Sequence, residues 1–401
     1  VTRADETVSA PGTRGRAATR ATYLAFAGAG FAFASWASRI PQVRDELELT
    51  PARLGLALLA IAAGSVVSLP LAGPLIHRIG SRRAVTAMVF LLAAALVAVG
   101  VGHSAGIWAL AVALFVMGFA NGAWDVGMNV QGAVVERLID RPIMARFHAG
   151  YSIGTVAGAL VGAAMVALDV PVAAHLVAVA VVIVAVVPAG VRAFVPDVDE
   201  ASAPTGERHS ALAAWREPRT LLVGVFVLAF AFAEGTANDW TSVALIDGYG
   251  VSEAVGTLGF AVFLAAMTGV RWIGPGLLDR YGRVAVVRAT AVAAVVGLVL
   301  FVFGGSAPVA FLGALLWGAG ASLGFPVGMS AAADDPVRAA SRVSVVASIG
   351  YCAFLAGPPL IGFLGQHSSV LHGLTVVAVL MAVATLIAGT LRPPAEVDGP
   401  G

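Results

Sequence analysis

Two acidic residues stand where acidic residues are costly. Asp125 is the only charged residue between Ile107 and Val135, and Glu234 shares the stretch from Thr220 to Ile246 only with Asp239. A charge in the middle of such a run costs about 2.5–3.5 kcal/mol on insertion scales, so each needs a reason. Around Asp125, the residues Gly118, Asn121, Gly122, Asp125 and Asn129 follow steps of three, one, three and four. On a helix that spacing puts them on one face. Burial disfavours the charged form of a carboxylate, so one in a partly dry cavity can take up and release a proton near neutral pH. Asp125 is therefore the candidate proton-coupling carboxylate, with Asn121 and Asn129 as substrate contacts. The structural alternative is that Asp125 pairs with an arginine or caps a broken helix.

Glu234 and Asn238 sit at i and i+4 and share a face, which makes Glu234 the second coupling candidate and Asn238 a substrate contact. Asp239 precedes Trp240, and the pair is expected at the outer interface, where Trp anchors helices. Arg271 is the only arginine well inside an apolar run. It is either a counter-ion for Asp125, Glu234 or an anionic substrate, or a structural charge whose side chain snorkels to the surface. Trp36 and Arg39 are placed at the outer mouth of the cavity, Trp36 as a substrate contact and Arg39 as a gating charge. Trp124 and Phe325 are assigned to stacking on substrate. Pro326 predicts a kink, with cavity water re-satisfying the freed carbonyls. His148 is assigned to a gate or a loop contact.

The elements that must position these residues are membrane spans. Of 401 residues, 59% are hydrophobic and 12% charged, against about 25% charged in soluble domains. Apolar runs of about 20 residues suffice to cross about 30 Å of hydrocarbon. Twelve such runs begin near Ala21, Leu54, Ala84, Ile107, Gly150, Val172, Leu221, Val255, Val284, Ala310, Val343 and Leu371. All 24 basic residues are arginine, and with both termini inside, 20 of them fall in inner segments; only Arg39, Arg44 and Arg53 lie in outer loops. The positive-inside rule therefore puts both termini in the cytoplasm. The arginine-only basicity and heavy Ala, Val and Gly usage point to a bacterial cytoplasmic (inner) membrane.

The chain is read as a disordered tail (1–20), a six-helix bundle (21–191), a cytoplasmic linker (192–220), a second six-helix bundle (221–392) and a short tail (393–401). The halves echo each other. Leu75-Ile76-His77-Arg78-Ile79-Gly80 matches Leu277-Leu278-Asp279-Arg280-Tyr281-Gly282, and Val126-Gly127-Met128 matches Val327-Gly328-Met329, at offsets of 202 and 201 residues. Parallel six-helix repeats belong to transporters whose substrate site lies between the halves near the midplane. Gly150, Gly154, Gly158 and Gly162 form a stripe expected to give close helix approach and a rocking surface between the halves.

Gly73-Pro74-Leu75-Ile76-His77-Arg78-Ile79-Gly80-Ser81-Arg82-Arg83 resembles the loop between the second and third helices of the major facilitator superfamily, with His77 in place of the pattern's Asp. The second copy keeps Asp279 and Arg280, so Arg78, Asp279 and Arg280 are structural charges by resemblance. Trp36-Ala37-Ser38-Arg39-Ile40-Pro41, Asp125-Val126-Gly127-Met128-Asn129, Phe147-His148-Ala149 and Asp239-Trp240 resemble segments of its YbjJ/MosC-like subgroup, for one member of which a sugar-like rhizopine has been proposed. The resemblance implies an all-α membrane fold of twelve helices in two pseudo-symmetric bundles, a monomer, and a central cavity lined by helices 1, 4, 7 and 10. It implies secondary active transport by alternating access of a small-molecule substrate, by symport or antiport.

The polar cavity favours a sugar- or polyol-like cargo coupled to protons; a proton-antiport exporter of a drug-like molecule and a transport-inactive ligand sensor are the alternatives. No nucleophile–base set appears, so an enzyme is not expected. Cys352 is the single cysteine, and no Cys/His spacing resembles a metal site. No cofactor, metal or nucleic-acid partner is expected; the partners are substrate, protons and the lipid bilayer.

Overall fold

The computed structural model describes residues 11–102, 105–141, 143–197, 214–335 and 338–393. It is built of helices: α1 (Pro11–Ala37), α2 (Ile40–Glu46), α3 (Pro51–Ile79), α4 (Ser81–Gly102), α5 (Ile107–Ile139), α6 (Met144–Ala167), α7 (Val172–Gly190), α8 (Pro218–Tyr249), α9 (Glu253–Tyr281), α10 (Arg283–Phe303), α11 (Ala307–Ala321), α12 (Gly324–Ala332), α13 (Ala339–His367), α14 (Val370–Gly373) and α15 (Thr375–Ile387). Among the described residues, eleven segments are long and apolar enough to cross a membrane, α11 with α12 counting as one and α14 with α15 as another. α1 adds the twelfth long helix. It carries no charge from Ala21 to Ala37 and packs along α6, α5 and α7.

α1 starts earlier than its apolar run. Residues 11–20, read from the sequence as part of a disordered tail, continue the helix because small residues let it pack: Ala18 is buried and Gly15 lies against Ile139 at the end of α5. The linker is shorter than expected for the same kind of reason. Phe194 and Val195 are buried, and Gln131 of α5 exchanges two hydrogen bonds with the Val195 backbone, at 2.8 and 3.0 Å. Asp197 then accepts from the backbone N–H (2.5 Å) and hydroxyl (2.6 Å) of Ser81, satisfying a free donor at the start of α4. Residues 198–213 of that linker lie outside the described residues.

The repeat is visible in the helix ends. α3 opens on Thr50 and α9 on Ser252, 202 positions apart, with φ/ψ of −65°/157° and −64°/157°, each hydroxyl accepting from the backbone N–H three residues on. Both helices stop at a glycine with positive φ, Gly80 at 81° and Gly282 at 76°. A side chain there would be strained, which is why the motif keeps glycine at both sites. Within the first half α1 packs on α6 and α3 on α5; within the second α8 packs on α13 and α10 on α11; α3–α13 and α6–α9 join the halves.

The glycine stripe does not form that joint. Gly150 faces Tyr23, Gly154 the Ala27 carbonyl, Gly158 the Phe31 carbonyl and Gly162 the Ser38 side chain, all on or just after α1. The close approach therefore fuses two helices of the same half. Between the halves the tight contacts are Gly55 on the Pro358 carbonyl and Gly362 on Pro51.

Candidate functional site

The polar face of α5 keeps the expected spacing, and its members contact one another. The Asn129 carboxamide nitrogen donates to the Asp125 backbone carbonyl (2.9 Å) and to its carboxylate (3.3 Å), while Asn129 Oδ1 lies 3.1 Å from His148 Nε2 on α6. Asn121 and Asp125 face the same cavity one turn apart.

On α8, Glu234 is paired. Arg271 of α9 donates through Nη2 to Glu234 Oε2 at 2.8 Å, and both side chains are about three-quarters buried. Its Nε donates to the Ser322 carbonyl at 3.1 Å. That carbonyl is free because Pro326, four residues on, has no N–H to give it. The helix ladder pauses there, between α11 and α12. Arg271 therefore does not snorkel: it ties α8, α9 and α11 together. The kink expected at Pro326 is present, with a guanidinium rather than water at the freed carbonyl.

The two polar faces enclose a cavity of about 280 Å³. Its wall takes Ala29 and Phe33 from α1, Ser65 and apolar neighbours from α3, Asn121 and Asp125 from α5 and Tyr151 from α6. From the second half come Glu234, Asn238 and Asp239 on α8 and Tyr351, Phe354 and Pro358 on α13. α11 and α12, expected as the tenth-span wall, contribute nothing to it. Tyr151, Tyr351, Ser65, Phe33 and Phe354 are cavity residues that the sequence reading missed. The available signal was that three of only five tyrosines, Tyr23, Tyr151 and Tyr351, fall inside apolar runs, two of them on this wall.

Asp239 is corrected from the outer interface to the cavity wall. α8 runs to Tyr249, ten residues further, so Asp239 lies well inside it, and it has no hydrogen-bond or ion-pair partner among the described residues. Trp240 is fully buried rather than an interfacial anchor. Three aromatic residues assigned to substrate lie off the wall. Trp124, one residue or 100° of helix from Asp125, is fully buried with its ring near Gly28. Trp36 is buried at the end of α1, and Phe325 lies near Gly350, where α12 meets α13.

Arg39 is buried between α1 and α2 and donates to the Val170 carbonyl. Burial pushes its guanidinium below the ordinary value, opposed by Glu253 and Glu46. Arg78, Asp279 and Arg280 are exposed, Arg280 lying 5.2 Å from the Tyr281 ring centre.

The polar ties between halves gather at the end of the bundle opposite the termini. There Gln42 donates to Glu253 (2.6 Å), Arg44 pairs with Asp247 (2.5 Å), and the buried Thr257 hydroxyl donates to the Ser38 carbonyl (3.4 Å). Closer to the middle Thr268 reaches the Ser152 carbonyl at 3.5 Å. At the end bearing the termini, the networks among the described residues stay within a half: Asp334 bridges Arg219 and Arg283 at 2.7 Å each, and Glu217 takes Arg342 at 2.6 Å and Arg338 at 3.2 Å. The cavity is thus roofed at the far end, and His148, one turn toward the terminal end, is exposed.

A family model described as Major Facilitator Superfamily matches residues 22–353. The chain is 31% identical to an uncharacterised transporter, y4wD, of Sinorhizobium fredii over 90% of this chain and 95% of that one. It is 29% identical to the membrane protein MosC of Rhizobium meliloti over 84% of this chain and 81% of that one. Among solved structures it resembles the nucleoside transporter NupG, with a TM-score of 0.73 at 14% identity over 94% of this chain and 98% of NupG.

Proposed function

The chain belongs to the Major Facilitator Superfamily, and from that premise we propose that it carries a small polar organic molecule across a bacterial inner membrane by alternating access, coupled to protons at Asp125. The family and the curated relatives are transporters, not enzymes. The carrying observation is the contrast between the two coupling candidates. Glu234 is neutralised by Arg271, whereas Asp125 faces the cavity with only an uncharged carboxamide on its carboxylate. A carboxylate without a cationic partner must take a proton when the cavity dries, a condition that Asp125 and Asp239 meet and Glu234 does not.

With both termini cytoplasmic, the orientation that the arginine distribution supports, the roofed end faces outward and this conformation is open inward. Asn121, Asn238, Ser65, Tyr151 and Tyr351 offer donors and acceptors to a hydroxylated cargo, and Phe33 and Phe354 offer ring faces. One charge moved through 100 mV supplies about 2.3 kcal/mol, or about fiftyfold accumulation. The test is substrate-triggered pH change in proteoliposomes, wild type against Asp125→Asn, across sugars, polyols and organic cations. Coupling lost in Asp125→Asn supports the reading, and the sign of the pH change separates symport from antiport. Coupling retained overturns it and moves the role to Glu234 or Asp239.

A further inference from the structure

Asn129 stands between Asp125 and His148, and its hydrogen bonds admit one orientation. Its nitrogen faces two oxygens, the Asp125 carbonyl and carboxylate, so both N–H groups are committed there. Its own oxygen is then an acceptor only, and the group that meets it, His148 Nε2 at 3.1 Å, must donate. The imidazole is held for that task. Phe26 of α1 packs edge-on to it with ring centres 5.0 Å apart. A second proton on the ring adds at Nδ1 and leaves the Nε2 donor in place, so the arm persists in both charge states of His148.

We infer that His148 is a positioning residue for the coupling carboxylate: by donating to Asn129 it keeps the carboxamide N–H groups on Asp125 and thereby sets the pH at which Asp125 exchanges its proton. This rests on the reading of Asp125 as that carboxylate. A bond donated to the ionised form favours it, so freeing the carboxamide lets Asp125 hold its proton to higher pH. The other titratable groups facing Asp125 are Tyr151 on α6, Glu234 and Asp239 on α8, Arg271 on α9 and Tyr351 on α13. α1, α3 and α4 present Ala29, Ser65 and Val85 to this part of α5, none of which titrates. Arg271 is near enough to act electrostatically on His148, so the effect of the arm has to be separated from that of charge.

The experiment is a pH titration of the infrared carboxyl C=O band of purified protein in lipid nanodiscs, which needs no substrate. The band of interest is the one missing from Asp125→Asn. In His148→Ala its midpoint is expected to move about one unit toward alkaline pH, about tenfold in proton affinity. His148→Gln, whose amide can still donate to Asn129, should restore the wild-type midpoint, and Asn129→Ala should move it at least as far as His148→Ala. An unmoved midpoint in His148→Ala, or an equal shift in His148→Gln, overturns the positioning role while leaving Asp125 as the coupling residue. If Asp125→Asn removes no titrating band, the reading of Asp125 fails first and this inference with it.

Discussion

Replacing Arg271 by Gln removes two bonds at once, and their energies can be separated. The ion pair to Glu234 is about three-quarters buried on both sides. Breaking a fully buried pair costs about 3–5 kcal/mol through the charge left behind. With a quarter of each side chain open to the cavity, about 2 kcal/mol is the reasonable share. The Ser322 carbonyl, deprived of Nε at 3.1 Å and unable to recover a bond from Pro326, adds about 1 kcal/mol. The sum of about 3 kcal/mol should lower the apparent melting temperature of detergent-solubilised protein by about 4 °C, at somewhat over 1 °C per kcal/mol for a chain this long. Glu234→Gln in the same background removes the stranded charge and should recover about two-thirds of the loss. Arg271→Lys keeps one charge but cannot span both acceptors, and should fall between. Intrinsic tryptophan fluorescence on heating reads these three variants, Glu234→Gln alone and wild type, five proteins in all. If the double variant is as unstable as the sum of the two single ones, the sites do not couple and the staple is not what holds α8, α9 and α11 together.

Three further outcomes follow from contacts elsewhere. Arg342 chiefly, against some desolvation and with Thr220 and Arg338 helping, holds the Glu217 carboxyl down to about 2. A depressed value stabilises the fold above the ordinary carboxylate range and loses that effect as pH falls toward 2. Glu217→Gln should therefore cost about 1–2 kcal/mol at pH 7, discounted for its partial exposure, with the gap to wild type closing below about pH 4.5 in thermal melts; a pH-independent gap would refute the assignment. Asp247→Asn should loosen the far-end roof by about 0.5–1 kcal/mol, a two- to fivefold rise in the fraction open at that end, read as faster maleimide labelling of Gln42→Cys in a Cys352→Ser background; an unchanged rate sinks it. Gly154→Leu drives a side chain into the Ala27 carbonyl and should abolish monodisperse protein on gel filtration, because backbone cannot step aside. Gly73→Ala, with open space around it, is the control and should be neutral or slightly stabilising.

The spans were legible in the sequence because membrane helices advertise themselves by length and apolarity, and the half-chain offset was legible because the turn chemistry repeats, glycine for glycine. Rotation about each helix was harder to read. Asp125 and Trp124 are neighbours in sequence and point different ways, and nothing in an alanine-rich run fixes which way an aromatic ring turns. Asp239 was misplaced because a tryptophan beside an acid mimics a membrane boundary, whereas α8 continues ten residues beyond it. Arg271 and Glu234 are 37 residues apart, and no local spacing rule joins such a pair. The glycine stripe announced a close contact but not with whom. Apart from Ser65, α3 walls the cavity with apolar side chains such as Leu58, Ile61, Ala62, Val66 and Leu69, which carry no chemical signature.

The pause at Ser322 has no counterpart in the first half. α5 passes the matching position as one unbroken rod of 33 residues, whereas its repeat mate is two shorter pieces, of 15 and 9 residues, pinned at the joint by an arginine. A stiff lever and a jointed arm respond differently to the same push. A force on one end of α5 reaches the other undiminished, while in the second half it can be spent in bending α12 beneath its pin. Two halves that share one pattern are thereby made mechanically unequal, with an elbow in the second where the first has a straight rod.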